Sequence, residues 1–143
     1  MNYLCDTNVF LAMTIELHAS HPIASSWFSS LSNRDRVYFC KATQMSFLRL
    51  LTQKIARDYK PLSNSQAWSI YGNLQADEVV SFVSEPNGID PIWKRFSSLN
   101  TPSPKVWMDA YLASFCVAGD MEMTTFDQGM RRFEAEGLKL NVL

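Results

Sequence analysis

Residues 2–13, NYLCDTNVFLAM, contain the change of pattern that decides the fold class. Asn2–Cys5 form a short apolar stretch, which predicts a first β-strand, and Val9–Met13 begin a helix. Asp6-Thr7-Asn8 lie at the junction. A short strand that leads directly into a helix is typical of α/β proteins, in which helices cover both faces of a parallel sheet.

The rest of the chain continues this alternation of strands and helices. Further strands are predicted at Val37–Cys40, Val79–Val83, Met121–Thr124 and Leu138–Val142. Helices are predicted at Ser20–Leu31, at Thr43–Ala56, from Ser63 onward, at Ile89–Leu99, from Ser103 as N-cap through Pro104 to Ala118 with Gly119 as its stop, and at Gln128–Glu136. We therefore expect a three-layer α/β/α sandwich with a central, mainly parallel sheet, formed by residues 1–143 as a single domain.

Composition excludes several classes of protein. Hydrophobic residues make up 47% and charged residues 19% of the 143 residues, a balance typical of a folded globular chain. No apolar run approaches the roughly 18–20 residues of a membrane span, and no secretory signal is recognisable. The three cysteines are odd in number and widely spaced, which favours reduced core thiols and a cytoplasmic location. The net charge of −1 indicates no overall basic field that would attract nucleic acid.

Three aspartates stand where chemistry is expected in this fold. Asp6 and Asp127 follow predicted strands, and the carboxyl ends of parallel strands meet at one edge of the sheet, where ligands bind. Asp109 is the one charge in the mostly apolar helix Val106–Ala118, which we expect to be buried. A buried carboxylate needs a partner, either a distant cation or a metal ion shared with other carboxylates.

A divalent ion would account for the three acids together. Grouped carboxylates repel one another, and Mg²⁺ or Mn²⁺ relieves that repulsion because hard cations take oxygen ligands. Such an ion promotes hydrolysis of a phosphodiester. Simpler roles remain open for single residues, since Asp6 and Asp127 could each be a turn or helix-capping residue.

Several blocks of the chain resemble the PIN-domain family, and within it the VapC-type toxins of VapBC toxin–antitoxin systems. The blocks occur in the order and spacing of that family across nearly the whole chain. They are Leu4–Ala12, His18 and His21 with Ala24 and Trp27, Thr43–Leu51, Trp107–Ala113 and Thr124–Asp127.

The resemblance implies a Mg²⁺-dependent endoribonuclease that cuts tRNA, rRNA or mRNA, forms homodimers and is inhibited by a VapB-type antitoxin. It also implies that Asp6, Asp109 and Asp127 form the acidic metal site, with Asn8 and Thr125 beside it. One residue departs from the pattern, since Gln44 stands where the family usually has Glu. The missing charge should weaken metal binding, so a catalytically weakened binding protein of the same fold is the alternative.

Basic and aromatic residues give weaker indications. Arg49, Lys54 and Arg57 are predicted to share a helix face, which is either a solvated surface or a track for RNA phosphates, and Arg131 and Arg132 could contribute similarly. We assign the aromatic residues mainly to the core rather than to a base-stacking surface. A phosphotransfer enzyme with Asp6 as nucleophile is disfavoured because Asn8 stands where a dehalogenase-type site has a second Asp.

Overall fold

The computed structural model describes residues 1–143 and contains one five-stranded sheet, in the order β3-β2-β1-β4-β5. All four strand pairs are parallel. The strands are β1 (Asn2–Cys5), β2 (Arg36–Phe39), β3 (Val80–Phe82), β4 (Glu122–Thr125) and β5 (Lys139–Val142). The predicted parallel sheet is thus confirmed.

Helices cover both faces of the sheet. They are α1 (Thr7–Thr14), α2 (His21–Ser29), α3 (Lys41–Leu51), α4 (Asn64–Gln75), α5 (Ile89–Ser97), α6 (Val106–Ala118) and the 3₁₀ helix Gln128–Glu136. Successive residues of β1 point to opposite faces. Leu4 belongs to a core cluster with α5, α6 and the 3₁₀ helix, whereas Cys5 belongs to a second cluster with α1, α3 and α4. The α/β/α sandwich is therefore as predicted.

Two predicted helix limits differ from the structure for identifiable reasons. α3 ends at Leu51 rather than Ala56, because the Leu51 carbonyl accepts hydrogen bonds from the Tyr59 hydroxyl and the Leu62 amide. Ser103 is not an N-cap, since its hydroxyl bonds to the Thr101 carbonyl and α6 begins only at Val106. The helix predicted at Gln128–Glu136 is confirmed with the same limits, and it is of the 3₁₀ type.

The expectation that α6 is buried all round is wrong for its first turn. Trp107 is 57% and Met108 46% exposed, whereas Leu112 through Cys116 are buried. No helix is long and apolar enough to cross a membrane.

The connections bring several segments to the carboxyl edge of the sheet. α1 follows β1 and α3 follows β2 at that edge, and the 3₁₀ helix follows β4. Because α6 leads into the amino end of β4, its own first turns lie near the carboxyl edge. Asp6, Asp109 and Asp127 are all placed there.

Candidate functional site

The Thr125 hydroxyl connects two of the three acids. Thr125 ends β4, which pairs with β1 so that Cys5 lies beside Thr124. The Thr125 Oγ1 donates a hydrogen bond to Asp6 Oδ2 at 2.9 Å and accepts one from the Asp127 amide at 3.0 Å. Thr125 is completely buried. One buried hydroxyl therefore holds the Asp6 carboxylate and the Asp127 backbone in a fixed relation.

Asp6 carries a charge that the fold does not neutralise. It occupies the N-cap position of α1, with φ −61° and ψ 151°, but its side chain does not cap the helix. Burial raises the pKa of Asp6, and the nearby charges of Asp109 and Asp127 raise it further, against the hydrogen bonds from Thr125 and Thr7. Asp6 thus lacks a cation but has two other carboxylates within electrostatic reach.

Asp127 has a structural role that leaves part of its carboxylate available. Its Oδ1 accepts a hydrogen bond from the Gly129 amide at 2.7 Å and so caps the 3₁₀ helix, the simpler role that the sequence left open. A Cβ at residue 129 would lie 2.9 Å from this oxygen, which explains the glycine there. Oδ2 of Asp127 remains available for a ligand.

Asp109 is paired with a cation. Arg132, on the 3₁₀ helix, donates to Asp109 Oδ2 at 2.7 Å, and the two side chains are 45% and 31% exposed. Burial raises the pKa of Asp109, Arg132 opposes that rise, and Asp127 adds to it. The structure thus shows the first of the two partners considered for Asp109, a cation distant in sequence.

The donor set fits a divalent ion in its chemistry. Three carboxylates on three different elements offer hard oxygen ligands of the kind that Mg²⁺ and Mn²⁺ prefer. In this conformation, no group of three His, Cys, Asp or Glu side chains is close enough to hold one ion. Arg132 binds one oxygen of Asp109, Oδ2, and so competes with a metal ion for this carboxylate.

Gln44 and Asn8 lie near the same edge, but their surroundings differ from that of Thr125. Gln44 is buried in the first turn of α3, where its Oε1 accepts from Lys41 Nζ at 2.7 Å. Burial raises the pKa of Tyr71, and a hydrogen bond from Gln44 opposes that rise. Asn8 lies at a cavity of about 390 Å³ that is mostly apolar. Of the three supporting polar residues, Thr125 is the one bonded to the acids.

The predicted row of cations on one helix face is wrong, because α3 ends before it. Arg49 lies on α3, whereas Lys54 and Arg57 lie in the following loop. All three are exposed, and none forms a salt bridge. The cation nearest the acids is instead Arg132. Two features of the sequence pointed to that pairing: an acid in an apolar helix without a local cation, and the arginine pair that follows Asp127.

Comparisons with known proteins agree with the geometry of the fold. A family model described as "PIN domain" matches residues 3–136. Ribonuclease VapC41 of Mycobacterium tuberculosis is 38% identical over 141 residues, which cover 96% of this chain and 97% of that protein.

Two solved structures share the fold at low sequence identity. VapC20 of M. tuberculosis, a toxin that cleaves the sarcin–ricin loop, superposes with a TM-score of 0.64 at 14% identity and covers 95% of each chain. A chain of VapBC-1 from nontypeable Haemophilus influenzae superposes with a TM-score of 0.68 at 15% identity, covering 99% of this chain and 98% of that one.

Proposed function

The chain belongs to the PIN-domain family, and from that premise we propose that it is a metal-dependent endoribonuclease, the toxin of a type II toxin–antitoxin system. The 38% identity to a VapC ribonuclease over almost the full length of both chains supports the activity. The observation that carries the proposal is the Thr125 bridge, which holds Asp6 beside Asp127 at the edge where ligands bind in such folds.

We assign Asp6, Asp109 and Asp127 as the ligands of Mg²⁺ or Mn²⁺. When bound, such an ion lowers the pKa of a water molecule and neutralises charge on the phosphodiester. Thr125 is a positioning residue, because it orients the Asp6 carboxylate through its hydroxyl proton. Arg132, once released from Asp109, is a guanidinium placed to bind a phosphate oxygen of the RNA.

A catalytically weakened binding protein is the second candidate, and Gln44 is the observation that favours it. A carboxamide supplies no negative charge to an ion, and this one is already hydrogen-bonded by Lys41. Such a protein would bind RNA without cutting it.

Several further properties belong to the same proposal. We expect a VapB-type antitoxin as partner, because the structural neighbours include toxins solved in VapBC complexes. We also expect a homodimer. Residues 1–143 should act as one domain, since the first and the last strand of the chain belong to one sheet. The three free, buried cysteines support a reducing compartment, and so the cytoplasm.

The test is cleavage of total RNA by the purified protein in Mg²⁺ or Mn²⁺, beside Asp6→Asn and an EDTA control. We expect discrete fragments with the native chain and a loss of at least about 100-fold in Asp6→Asn, since removal of a metal ligand should cost more than the roughly 10- to 100-fold loss caused by removing an outer-shell partner. Fragments that persist in EDTA would refute the metal dependence. If the native chain cuts no RNA at high concentration, the binding protein is the better description.

A further inference from the structure

Two tryptophans form an aromatic wall at the start of α6, the helix that also carries Asp109. Trp93 on α5 and Trp107 on α6 meet edge to face, with ring centroids 6.2 Å apart. The Trp93 Nε1 donates a hydrogen bond to the Trp107 carbonyl at 3.0 Å, which fixes the Trp93 ring. Trp107 itself remains 57% exposed. Asp109 lies two residues further along α6.

A cavity of about 1040 Å³ lies against this wall. Apart from the two indoles, most of its lining is the segment 97–104, which carries hydroxyl and amide side chains. The Asn100 side chain is exposed and makes no hydrogen bond within the protein. The cavity thus combines a flat aromatic surface with polar groups that can donate and accept hydrogen bonds.

We propose that this cavity binds an unpaired nucleobase of the RNA, stacked on the Trp107 indole, with Asn100 at the hydrogen-bonding edge of the base. The inference rests on the proposed ribonuclease function and extends it, because it assigns a subsite for substrate selection. Unpaired bases are the parts of RNA that proteins recognise by aromatic stacking and by contacts to their polar edges. Every base has a flat face, so stacking tolerates several sequences while Asn100 discriminates among them.

Charge at the cavity also favours RNA. Lys94 lines the cavity, and Lys105 adjoins its lining residue Pro104. Neither lysine forms a salt bridge within the protein, so both are free to contact phosphates of a bound RNA. Asp90 is the one acid in the lining. The centre of a protein interface is instead usually apolar and poor in charge.

The experiment measures binding of a short fluorescent single-stranded RNA of mixed sequence by the Asp6→Asn protein, which binds without cutting. In that background we compare Trp107→Leu, Trp107→Phe and Asn100→Ala. Trp107→Leu should weaken binding about 5- to 100-fold, the range for loss of one base–aromatic stack. Trp107→Phe should change the affinity for the RNA by no more than about threefold, because an aromatic ring remains at this position. When the same RNA is annealed into a duplex, Trp107→Leu should weaken binding less, since the bases of a duplex are already stacked on one another.

Trp68→Leu is the matched control. Trp68 is 56% exposed, almost the same fraction as Trp107, but it lies on α4 on the other side of the sheet. We expect its replacement to leave RNA binding unchanged. Equal weakening by both leucine variants would overturn the proposal, because any exposed tryptophan would then suffice.

Two further outcomes would also overturn it. If Trp107→Leu binds RNA like its parent but changes the sedimentation coefficient, the wall is a protein interface. If Trp107→Leu fails to fold, unchanged binding by Asn100→Ala refutes the site. Failure of the subsite differs from failure of the nuclease, because the native chain would still cut RNA and its Trp107→Leu variant would cut with the same KM.

Discussion

Aspartates at the two edges of the sheet have opposite electrostatic environments. At the amino edge, Asp120 directly precedes the β4 region and pairs with Lys139 of β5 at 2.7 Å. The hydrogen bond from Lys139 lowers the pKa of Asp120. At the carboxyl edge, burial raises the pKa of Asp6 and of Asp109. The same residue type is thus neutralised by the fold at one edge and left with excess negative charge at the other.

The difference distinguishes a charge that costs the folded state little free energy from one that destabilises it. Asp120 is 87% exposed at its side chain, and water alone could solvate it, so its pairing is a minor surface interaction. The Asp6 side chain is partly buried, which makes its ionisation costly, and the buried Thr125 hydroxyl holds it in that position. An arrangement that works against stability is typical of a functional site.

Thr125→Val removes the hydroxyl that holds Asp6 at the carboxyl edge, and we expect its effect to be larger than that of Gln44→Glu at the same edge. Valine has a similar shape but cannot donate to Asp6 or accept from the Asp127 amide, so the carboxylate loses its orientation. We expect a loss of about 10- to 100-fold in RNA cleavage and in Mn²⁺ affinity, as for other groups that orient metal ligands. Cleavage rates and calorimetric Mn²⁺ titration measure the two effects.

Thr124→Val is the control for that substitution. The neighbouring Thr124 hydroxyl is buried beside the Cys5 thiol, without an oxygen or nitrogen partner. Removing it should leave both cleavage and Mn²⁺ binding unchanged. Equal losses in both valine variants would mean that the effect comes from packing at the end of β4, not from the hydrogen bonds.

Gln44→Glu should increase the excess of negative charge at the carboxyl edge. The new carboxylate meets Lys41, which already contacts this side chain at 2.7 Å, so part of the added charge is neutralised. We therefore expect a gain in Mn²⁺ affinity of up to about tenfold, equivalent to about 1.4 kcal/mol. Calorimetric titration with Mn²⁺ measures it.

Gln66→Glu makes the same chemical change on α4, where Gln66 belongs to the capping box with Ser63. It should not alter Mn²⁺ affinity. If it raises the affinity as much as Gln44→Glu does, the effect is one of overall charge, and Gln44 has no particular relation to the site.

The stability of the chain should depend on pH in opposite ways through the aspartates at the two edges of the sheet. We expect this effect to be smaller than those of Thr125→Val and Gln44→Glu. Because the pKa of Asp6 is raised, the folded chain holds that proton more tightly than the unfolded chain. The free energy of unfolding therefore falls as pH rises from the ordinary range of Asp through the folded pKa. In metal-free buffer, Asp6→Asn should remove this fall and raise the unfolding midpoint at neutral pH by a few degrees, the response to roughly 1 kcal/mol.

Asp120→Asn should have the opposite pH dependence. The pKa of Asp120 is lowered, so its stabilisation is complete above the ordinary range of Asp and is lost as pH falls toward the folded pKa. Asn is tolerated at its φ of 50°, so the backbone should not change. Thermal unfolding between about pH 3.5 and 7 measures both variants. A lower midpoint for Asp6→Asn at neutral pH would contradict the excess of negative charge at the carboxyl edge.

Local pattern in the sequence predicted the elements and the edge on which the acids lie. The strand Asn2–Cys5 and the acid that follows it were evident because apolar periodicity and burial are local properties. The partner of Asp109 was not, since Arg132 is 23 residues away and only the packing of the 3₁₀ helix against α6 brings them together. The exposure of Trp107 was not predicted for a related reason. The apolar sequence of α6 does not reveal that its first turn lies outside the packed core.

The hydrogen bond between Thr125 and Asp6 joins residues 119 positions apart in the chain. β1 has two neighbours in the sheet, β2 and β4, and the one that carries this hydroxyl comes much later in the chain. During synthesis, Asp6 has neither Thr125 nor Asp127 beside it until β4 has been made. On the proposed assignment of the metal ligands, a polypeptide truncated before β4 would contain Asp6 but no complete metal site, and it should not cut RNA.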